Sequence, residues 1–278
     1  MKTTILFLLV SIFTINIFSQ ADSVFSVDHS KVTLSTDIIP QWKIQMEVGG
    51  SIWYTENTFT HFLGSAEEYT ATYYSTRINN PSLVFRLGIV KNIEFRLGFV
   101  FIQEFYGNLS SDSWFFAARR NGIYSGGPIE VGVKAKLLEE SKIFPSTSIK
   151  ADVFIPAGNY YFHMDYVSPV FRLMLQKNLS KNFSIGANAG YGWNVYESYT
   201  HKYGSYSVSL NANVSRKLGA FAEAFSYFRH RYTPDHRLGV GLNYRFSSNV
   251  MTVVQGGFGV SKLAPDIFAS GGIGFMFP

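Results

Sequence analysis

The sequence predicts an all-β fold, a transmembrane antiparallel β-barrel of about twelve strands in an up-and-down meander. Three observations predict it. The chain of 278 residues is 17% aromatic and only 15% charged, whereas an ordinary soluble domain has about 25% charged residues. After Phe18 no apolar run approaches the roughly 20 residues that a membrane-spanning helix needs. Many segments alternate apolar and polar residues, and short and long connections alternate between them.

The start of the chain, residues 1–19, is typical of a secretory signal peptide. Lys2 supplies a positive charge, an apolar run extends from Ile5 to Phe18, and the small Ser19 precedes Gln20. We therefore expect cleavage near Ser19/Gln20 and export to the cell outer membrane of a Gram-negative bacterium. An uncleaved membrane anchor is the alternative. The chain has no cysteine, which excludes disulfides and thiol catalysis.

The rest of the chain divides into a short N-terminal segment and a barrel. Residues 20–40 alternate only weakly, and we expect them to form a periplasmic N-terminal segment or part of a plug. Residues 41–278 form the predicted outer-membrane barrel. Its clearest strand is 205–215, where serine and asparagine alternate with apolar residues, a pattern that a helix would scatter around its surface. The apolar face of this strand consists of Tyr206, Val208, Leu210, Ala212 and Val214.

The same template predicts twelve strands along the chain. They are 41–54, 78–90, 92–106, 128–138, 143–156, 166–177, 182–196, 203–216, 218–229, 236–246, 249–261 and 265–277. Short links such as 91–92 and 247–248 alternate with longer ones such as 55–77 and 107–127. Bacterial barrels keep short turns on the periplasmic side and longer loops outside, so connection length supports the prediction independently of periodicity.

Charged side chains in the predicted strands are expected to face the lumen, because Arg or Lys facing lipid at the midplane costs about 2–4 kcal/mol. The lumen-lining candidates are Arg86, Glu94, Arg96, Glu130, Lys134, Lys150, Asp152, Arg172, Glu223, Arg237 and Arg245. Two interpretations stay open for this set. The charges pair across a narrow lumen and hold the wall rigid, or they line a water-filled path and set solute preference. The excess of basic positions favours anions.

Other residue types indicate a membrane location but no chemistry. We expect interfacial aromatic girdles that include Trp42, Trp53, Tyr54, Tyr191 and Trp193. The histidines fall in the lead-in, in loops or at strand ends, and neither a Gly-x-Ser-x-Gly elbow nor a His-Glu-x-x-His motif occurs. The sequence therefore predicts no enzyme, no metal site and no cofactor. No Lys/Arg cluster is long enough to indicate nucleic-acid binding.

Several short motifs in fixed order resemble one known family. They are NPSLVFRLGI at 80–89, NIEFRLGF at 92–99, DVFIPAG at 152–158, PVFRLML at 169–175, GAFAEAF at 219–225, GGFG at 256–259 and APD at 264–266. Together they resemble the outer-membrane family labelled "putative MetA-pathway of phenol degradation" from about residue 78 to the C-terminus. The resemblance implies a barrel with a channel role, and no enzymatic activity follows from it.

Barrels of this kind commonly end on an aromatic residue, whereas this chain ends Phe275-Met276-Phe277-Pro278. We expect the C-terminal strand to contact the barrel-assembly machinery through Phe275 and Phe277.

The predicted function is a passive channel or transporter for small solutes through a polar lumen, embedded in outer-membrane lipid. Twelve strands enclose less space than the roughly 16–18 strands of general porins, which disfavours large solutes. The alternative is a structural or surface-interaction barrel with a closed lumen. A third class, a membrane-embedded lipolytic enzyme, requires a catalytic histidine near a nucleophile. The pattern does not identify the solute.

Overall fold

The computed structural model describes residues 26–28, 32–63, 67–108, 122–158, 166–193, 202–229 and 233–278. The predicted signal peptide lies outside the described residues. The strands are β1 (Ile44–Leu63), β2 (Glu67–Val90), β3 (Ile93–Asn108), β4 (Ile123–Gly126), β5 (Ile129–Leu138), β6 (Ser146–Ile155), β7 (Ser168–Asn178), β8 (Phe183–Trp193), β9 (Lys202–Asn213), β10 (Leu218–Arg229), β11 (Asp235–Arg245), β12 (Val250–Gly259) and β13 (Ile267–Phe277).

The strands form a closed ring of twelve antiparallel strands in meander order, with one extra strand, which confirms the predicted fold. β1 closes the ring because it pairs with β2 on one side and with β13 on the other. Closure gives each of the twelve ring strands a partner on both sides, so none of them has a whole edge of unpaired backbone groups in the described part of the chain.

The extra strand β4 continues the line of β5. β5 pairs with the first half of β3 up to Gly98↔Glu130, and β4 pairs with β3 further along, from Phe101↔Gly126. The break lies at Pro128, which has no N–H to donate to the ladder. Gly127 still donates its N–H to the Val100 carbonyl at 2.7 Å. β4 and β5 therefore occupy one position of the ring.

The hairpin between β1 and β2 is longer than the sequence predicts. The predicted link 55–77 is mostly strand, because backbone pairing continues from Thr55↔Ser75 to Leu63↔Glu67. This extension lacks apolar alternation, although the Tyr and Thr residues of 67–78 favour strands. The prediction was wrong here because the backbone ladder continues through residues whose sequence has no apolar alternation.

The two faces of the wall differ as the alternation predicts. Leu210 and Val240 lie on the outer face with 50% and 65% of their surface exposed, while Arg86 points inward and is 0% exposed. Apolar side chains on the outside and polar side chains inside are the arrangement of a barrel in lipid. Among the described residues, no helix has the length and apolar character to span a membrane.

The turn 91–92 between β2 and β3 and the turn 246–249 between β11 and β12 define one end of the barrel, which we call the inner end. β1 starts and β13 finishes at this end, where Ile44 pairs with Phe277. The opposite, outer end contains the connections β3–β4, β6–β7 and β8–β9.

Candidate functional site

Residues 26–28 and 32–40, which we call the plug segment, lie inside the barrel. Val27, Asp28 and Ile39 are 2%, 4% and 1% exposed, and their neighbours are inward-facing side chains of the wall. The segment joins β1 at the inner end, where it crosses Gly88. A Cβ on Gly88 would lie 2.2 Å from the Pro40 carbonyl oxygen, so only glycine permits this crossing.

Arg86 organises the wall around the plug segment. Its guanidinium donates to both carboxylate oxygens of Glu94 at 2.9 Å and to Glu47 at 3.2 Å. It also donates to the backbone carbonyls of Ser26 at 3.0 Å and Asp37 at 3.3 Å. One wall residue therefore holds two other wall side chains and two parts of the plug segment.

Asp28, which belongs to the plug segment, adds a carboxylate to the charged side chains around Arg86. Its Oδ2 atom lies 2.9 Å from Arg96, 3.5 Å from Arg86 and 3.5 Å from Lys134. Burial raises the pKa of Asp28, but the three cations outweigh burial and hold that pKa well below its usual range. Asp28 is therefore ionised when the plug segment is in place.

We call these side chains the ion cluster: Asp28, Glu47, Arg86, Glu94, Arg96 and Lys134. Three cations and three anions make it neutral only while Asp28 is present. Backbone groups of the plug segment add to it, because Lys134 donates to the Asp37 carbonyl at 2.7 Å and Glu94 accepts from the Ile39 N–H at 2.8 Å.

A second polar anchor lies across the lumen at Glu223. Its carboxylate accepts from the backbone N–H groups of Val32 at 3.3 Å and Thr33 at 3.0 Å. The amide nitrogen of Gln255 also donates to it, at 2.5 Å. Backbone and amide donors thus satisfy this buried carboxylate.

Several further contacts of the plug segment are neutral. Thr36 and Ser146 share a hydroxyl–hydroxyl hydrogen bond of 2.9 Å, and Ser148 donates to the Thr36 carbonyl at 2.7 Å. Val27 packs into an apolar cluster on the opposite wall. This cluster contains Phe221, Met251, Val253 and Met276.

The sequence-predicted lumen residues all lie on inward positions, but in separate groups. Arg86, Glu94, Arg96 and Lys134 meet in the ion cluster. Lys150 forms a second group, with Glu130 at 2.8 Å and Asp152 at 2.9 Å. This pairing is what the structural interpretation of the charges requires. That these charges set solute preference stays a prediction.

The other four candidates stand apart from both groups. Glu223 is the anchor of Val32 and Thr33 described above. Arg172 reaches the Val32 carbonyl at 3.4 Å. Arg237 binds Asp235 towards the outer end at 2.8 Å. Arg245 lies at the inner end, and its Nε has no partner among the described residues. Distance along the wall therefore separates them from the ion cluster.

Sequence reasoning missed Asp28, because the plug segment lacks the alternation that indicates which way a side chain faces. It also placed Trp53 in a girdle beside Tyr54, and this was wrong for Trp53, which lines the lumen. Adjacent strand residues face opposite sides, so Trp53 and Tyr54 could not both face lipid. Trp53 shares the parity of Glu47, and that signal was available in the sequence.

A cavity of about 220 Å³ lies between the plug segment and the outer end. It adjoins Val32 and is lined by both aromatic and polar side chains of the wall. We call it the vestibule, and its lining includes Trp53, Asn79, Phe225, Tyr227, Gln255 and Phe268.

A serine and a histidine also meet on the wall, where Ser226 Oγ lies 2.6 Å from His236 Nδ1. These residues pair directly across β10 and β11 on the face opposite to Phe225. Ser226 is only 3% exposed, so an ester could not reach its hydroxyl. The contact fits a hydrogen bond between strands better than a nucleophile–base pair. Within the described part of the chain, no three His, Cys, Asp or Glu side chains are grouped to hold a metal ion.

These features define a class of protein, a closed twelve-stranded β-barrel whose polar lumen contains an N-terminal segment of the same chain. Residues 64–277 match the family described as "Putative MetA-pathway of phenol degradation", and the chain belongs to that family. No curated protein sequence matches the chain.

A solved structure shows the same fold. The COG4313 outer membrane channel from Pseudomonas putida F1 has a TM-score of 0.57 at 12% identity, over 92% of this chain and 100% of that chain. The KdgM porin in complex with disordered oligogalacturonate has a TM-score of 0.48 at 11% identity, over 82% of this chain and 99% of that chain. The NanC porin has a TM-score of 0.47 at 11% identity, over 83% and 98%.

Proposed function

We propose that the protein is a passive channel for small solutes in the cell outer membrane, closed in this state by the plug segment. The observation that carries the proposal is a lumen lined by polar and charged side chains and occupied by a separate stretch of chain. The similar fold from Pseudomonas putida F1 is described as an outer membrane channel, which supports the proposal.

The way the plug segment is held is compatible with movement. Its polar anchors are the ion cluster, Glu223 and the pair Thr36–Ser146, and water can satisfy each of these groups when the segment leaves. The strand ladders of the wall do not include the plug segment, so the barrel stays closed around an emptied lumen. Solute flux then runs down a concentration gradient.

Two further parts of the proposal concern the route to the membrane. The predicted signal peptide, cleaved near Ser19/Gln20, would direct export. Phe275 and Phe277 lie on the outer face of β13, the strand that closes the ring on β1, and would offer their rings to the barrel-assembly machinery and to lipid.

The test is to lock the plug segment to the wall with a disulfide. The chain has no native cysteine, so Thr36→Cys with Ser146→Cys supplies a single pair. Their hydroxyl oxygens lie 2.9 Å apart, which is compatible with the Cβ separation of about 3.5–4.5 Å that a disulfide needs. We expect planar-bilayer recordings to show few or no openings when the pair is oxidised and frequent openings after reduction. The single variant Thr36→Cys is the matched control, and the frequency of its openings should not depend on the redox state.

The competing function is a structural barrel with a permanently closed lumen. The observation that favours it is the three-point anchoring of the plug segment together with the packing of Val27. It predicts silence in the reduced as well as in the oxidised protein, whereas openings on reduction would decide for the channel.

A further inference from the structure

Three cations of the barrel wall meet at one carboxylate oxygen of the plug segment. Oδ2 of Asp28 accepts a hydrogen bond of 2.9 Å from Arg96. The same oxygen lies 3.5 Å from a guanidinium nitrogen of Arg86 and 3.5 Å from Nζ of Lys134. Cationic donors that converge on a single oxygen are the arrangement in which proteins bind carboxylates. The wall therefore has a carboxylate site, and in the closed state a side chain of the same chain occupies it.

Without Asp28, the wall side chains of the ion cluster carry one positive charge. Among them, Arg86 pairs with Glu47 and Glu94, and Arg96 pairs with Glu94. Three cations then stand against two carboxylates. Water that enters an emptied lumen solvates the cations but carries no charge. The wall therefore attracts a further anion of one charge once Asp28 has left.

Lys134 depends on the plug segment most directly. Among the described residues, the oxygens that contact its Nζ are the Asp37 carbonyl at 2.7 Å and Asp28 Oδ2 at 3.5 Å. Both atoms belong to the plug segment, while Lys134 itself is a wall residue of β5 and is 0% exposed. When the plug segment leaves, this ammonium group loses both oxygens together.

The second group of charges does not supply the missing anion. Lys150 pairs with Glu130 and Asp152, and Arg172 is the partner of Lys150 across β6 and β7. The second group together with Arg172 thus contains two cations and two anions. It has no spare negative charge for the neighbouring ion cluster.

The plug segment is also what covers the site. Arg86 and Lys134 point into the lumen, where they contact the Ser26 and Asp37 carbonyls. A solute in the lumen therefore reaches these cations when the plug segment moves away. Because a solute carboxylate would take the position of the Asp28 carboxylate, binding of the solute and docking of Asp28 exclude each other.

We propose that the wall side chains of the ion cluster bind small carboxylates, and that Asp28 occupies their site in the closed state in place of the solute. A solute carboxylate supplies the negative charge and the acceptor oxygens that Asp28 otherwise supplies. Solutes of this class compete with Asp28 and thereby favour the open channel. The inference rests on the proposed function, since the solute gains access through movement of the plug segment.

The first test removes the competing carboxylate and measures binding without any flux. Ligand-observed NMR reports the binding of acetate to the purified full chain in detergent. We expect Asp28→Ala to bind acetate about tenfold more tightly than the parent protein, because a tethered carboxylate competes at a high effective concentration. Acetamide has nearly the same shape without the charge and should bind about tenfold more weakly than acetate. Chloride at equal ionic strength tests whether any anion suffices, and it should compete poorly with acetate.

Two further variants locate the site. Asp37→Ala is the matched control, because the Asp37 carboxylate also belongs to the plug segment but accepts from Ser35 Oγ at 2.6 Å. Its acetate binding should equal that of the parent protein. Lys134→Met, added to Asp28→Ala, leaves two cations against two carboxylates and should weaken acetate binding about tenfold. Circular dichroism of each variant checks that the barrel has formed.

The second test measures competition in the unchanged chain. In planar-bilayer recordings of the parent protein, replacing chloride by acetate at constant ionic strength should raise the frequency of openings. Acetamide at the same concentration should leave that frequency unchanged. These recordings do not depend on the folding of any variant, and openings as rare in acetate as in chloride would contradict the competition.

Three binding results would overturn the inference: equal acetate binding by Asp28→Ala and Asp37→Ala, acetamide or chloride binding as tightly as acetate, or no loss on adding Lys134→Met. Openings of the reduced Thr36/Ser146 cysteine variant without acetate binding to Asp28→Ala would leave the channel standing and remove the carboxylate site. Acetate binding without openings in either redox state would retain the site and contradict the channel.

Discussion

Arg86 is the residue on which the interior of the barrel depends most, because its guanidinium holds Glu94, Glu47 and two carbonyls of the plug segment. Glu94→Gln removes one partner and leaves buried positive charge without compensation. We expect a loss of about 3–5 kcal/mol in unfolding free energy, measured by urea unfolding in lipid vesicles. Glu139→Gln is the matched control, because Glu139 pairs with Lys136 but is 70% exposed. It should change stability by about 0–1 kcal/mol, and an equal effect of both changes would contradict the argument.

Asp28 sets the response of the plug segment to pH. Because its pKa in the docked state is lowered by Arg86, Lys134 and Arg96, its contribution to docking is complete at any pH above the ordinary value of about 3.9. That contribution is lost only as the pH falls below this value towards the lowered pKa. We expect channel openings to be equally frequent at pH 7 and pH 5, and Asp28→Asn to raise their frequency at both. Openings that increase between pH 7 and pH 5 in both proteins would show that another group controls docking, and an increase in the parent protein alone would show that the pKa of Asp28 is not lowered.

At the scale of a strand, one face meets lipid and the other meets the lumen. Val240 projects outward from the middle of β11, and Asn243 projects inward from the same strand. Val240→Arg should destabilise the folded barrel in lipid by about 2–4 kcal/mol. On gels of unheated samples, we expect a weaker band of folded, heat-modifiable protein. Asn243→Arg adds the same group to the lumen side and should be tolerated better. If Asn243→Arg were the more destabilising of the two variants, the inner and outer faces of β11 would be assigned wrongly.

The elements also show where alternation stops being informative. It predicted β6 to β13 to within a few residues, because each of these strands has one face in an apolar and one in a polar environment. It missed β4, where Pro128 interrupts a strand without changing the ring. It also missed the extension of β1 and β2, where the ladder continues without apolar alternation.

At the scale of the whole molecule, the lumen has two sides. The ion cluster and the Lys150 group lie on β1, β2, β3, β5 and β6, whereas Phe221, Met251 and Val253 form an apolar surface on β10 and β12. The plug segment matches both, since Asp28 meets the cations and Val27 meets the apolar surface. The vestibule lies between this segment and the outer end and is lined by both aromatic and polar side chains.

The sequence by itself determined most of the strands, their order and the direction of the inward charges. Alternate residues of a strand face two different environments, and this alternation can be recognised within each strand separately. Only the tertiary structure decided that Asp28 joins three wall cations, that Trp53 and Phe268 share a cavity, and that residues 26–28 and 32–40 occupy the lumen. These facts depend on which strands lie opposite one another across a closed ring, and no pattern within a single strand records the neighbour across the lumen.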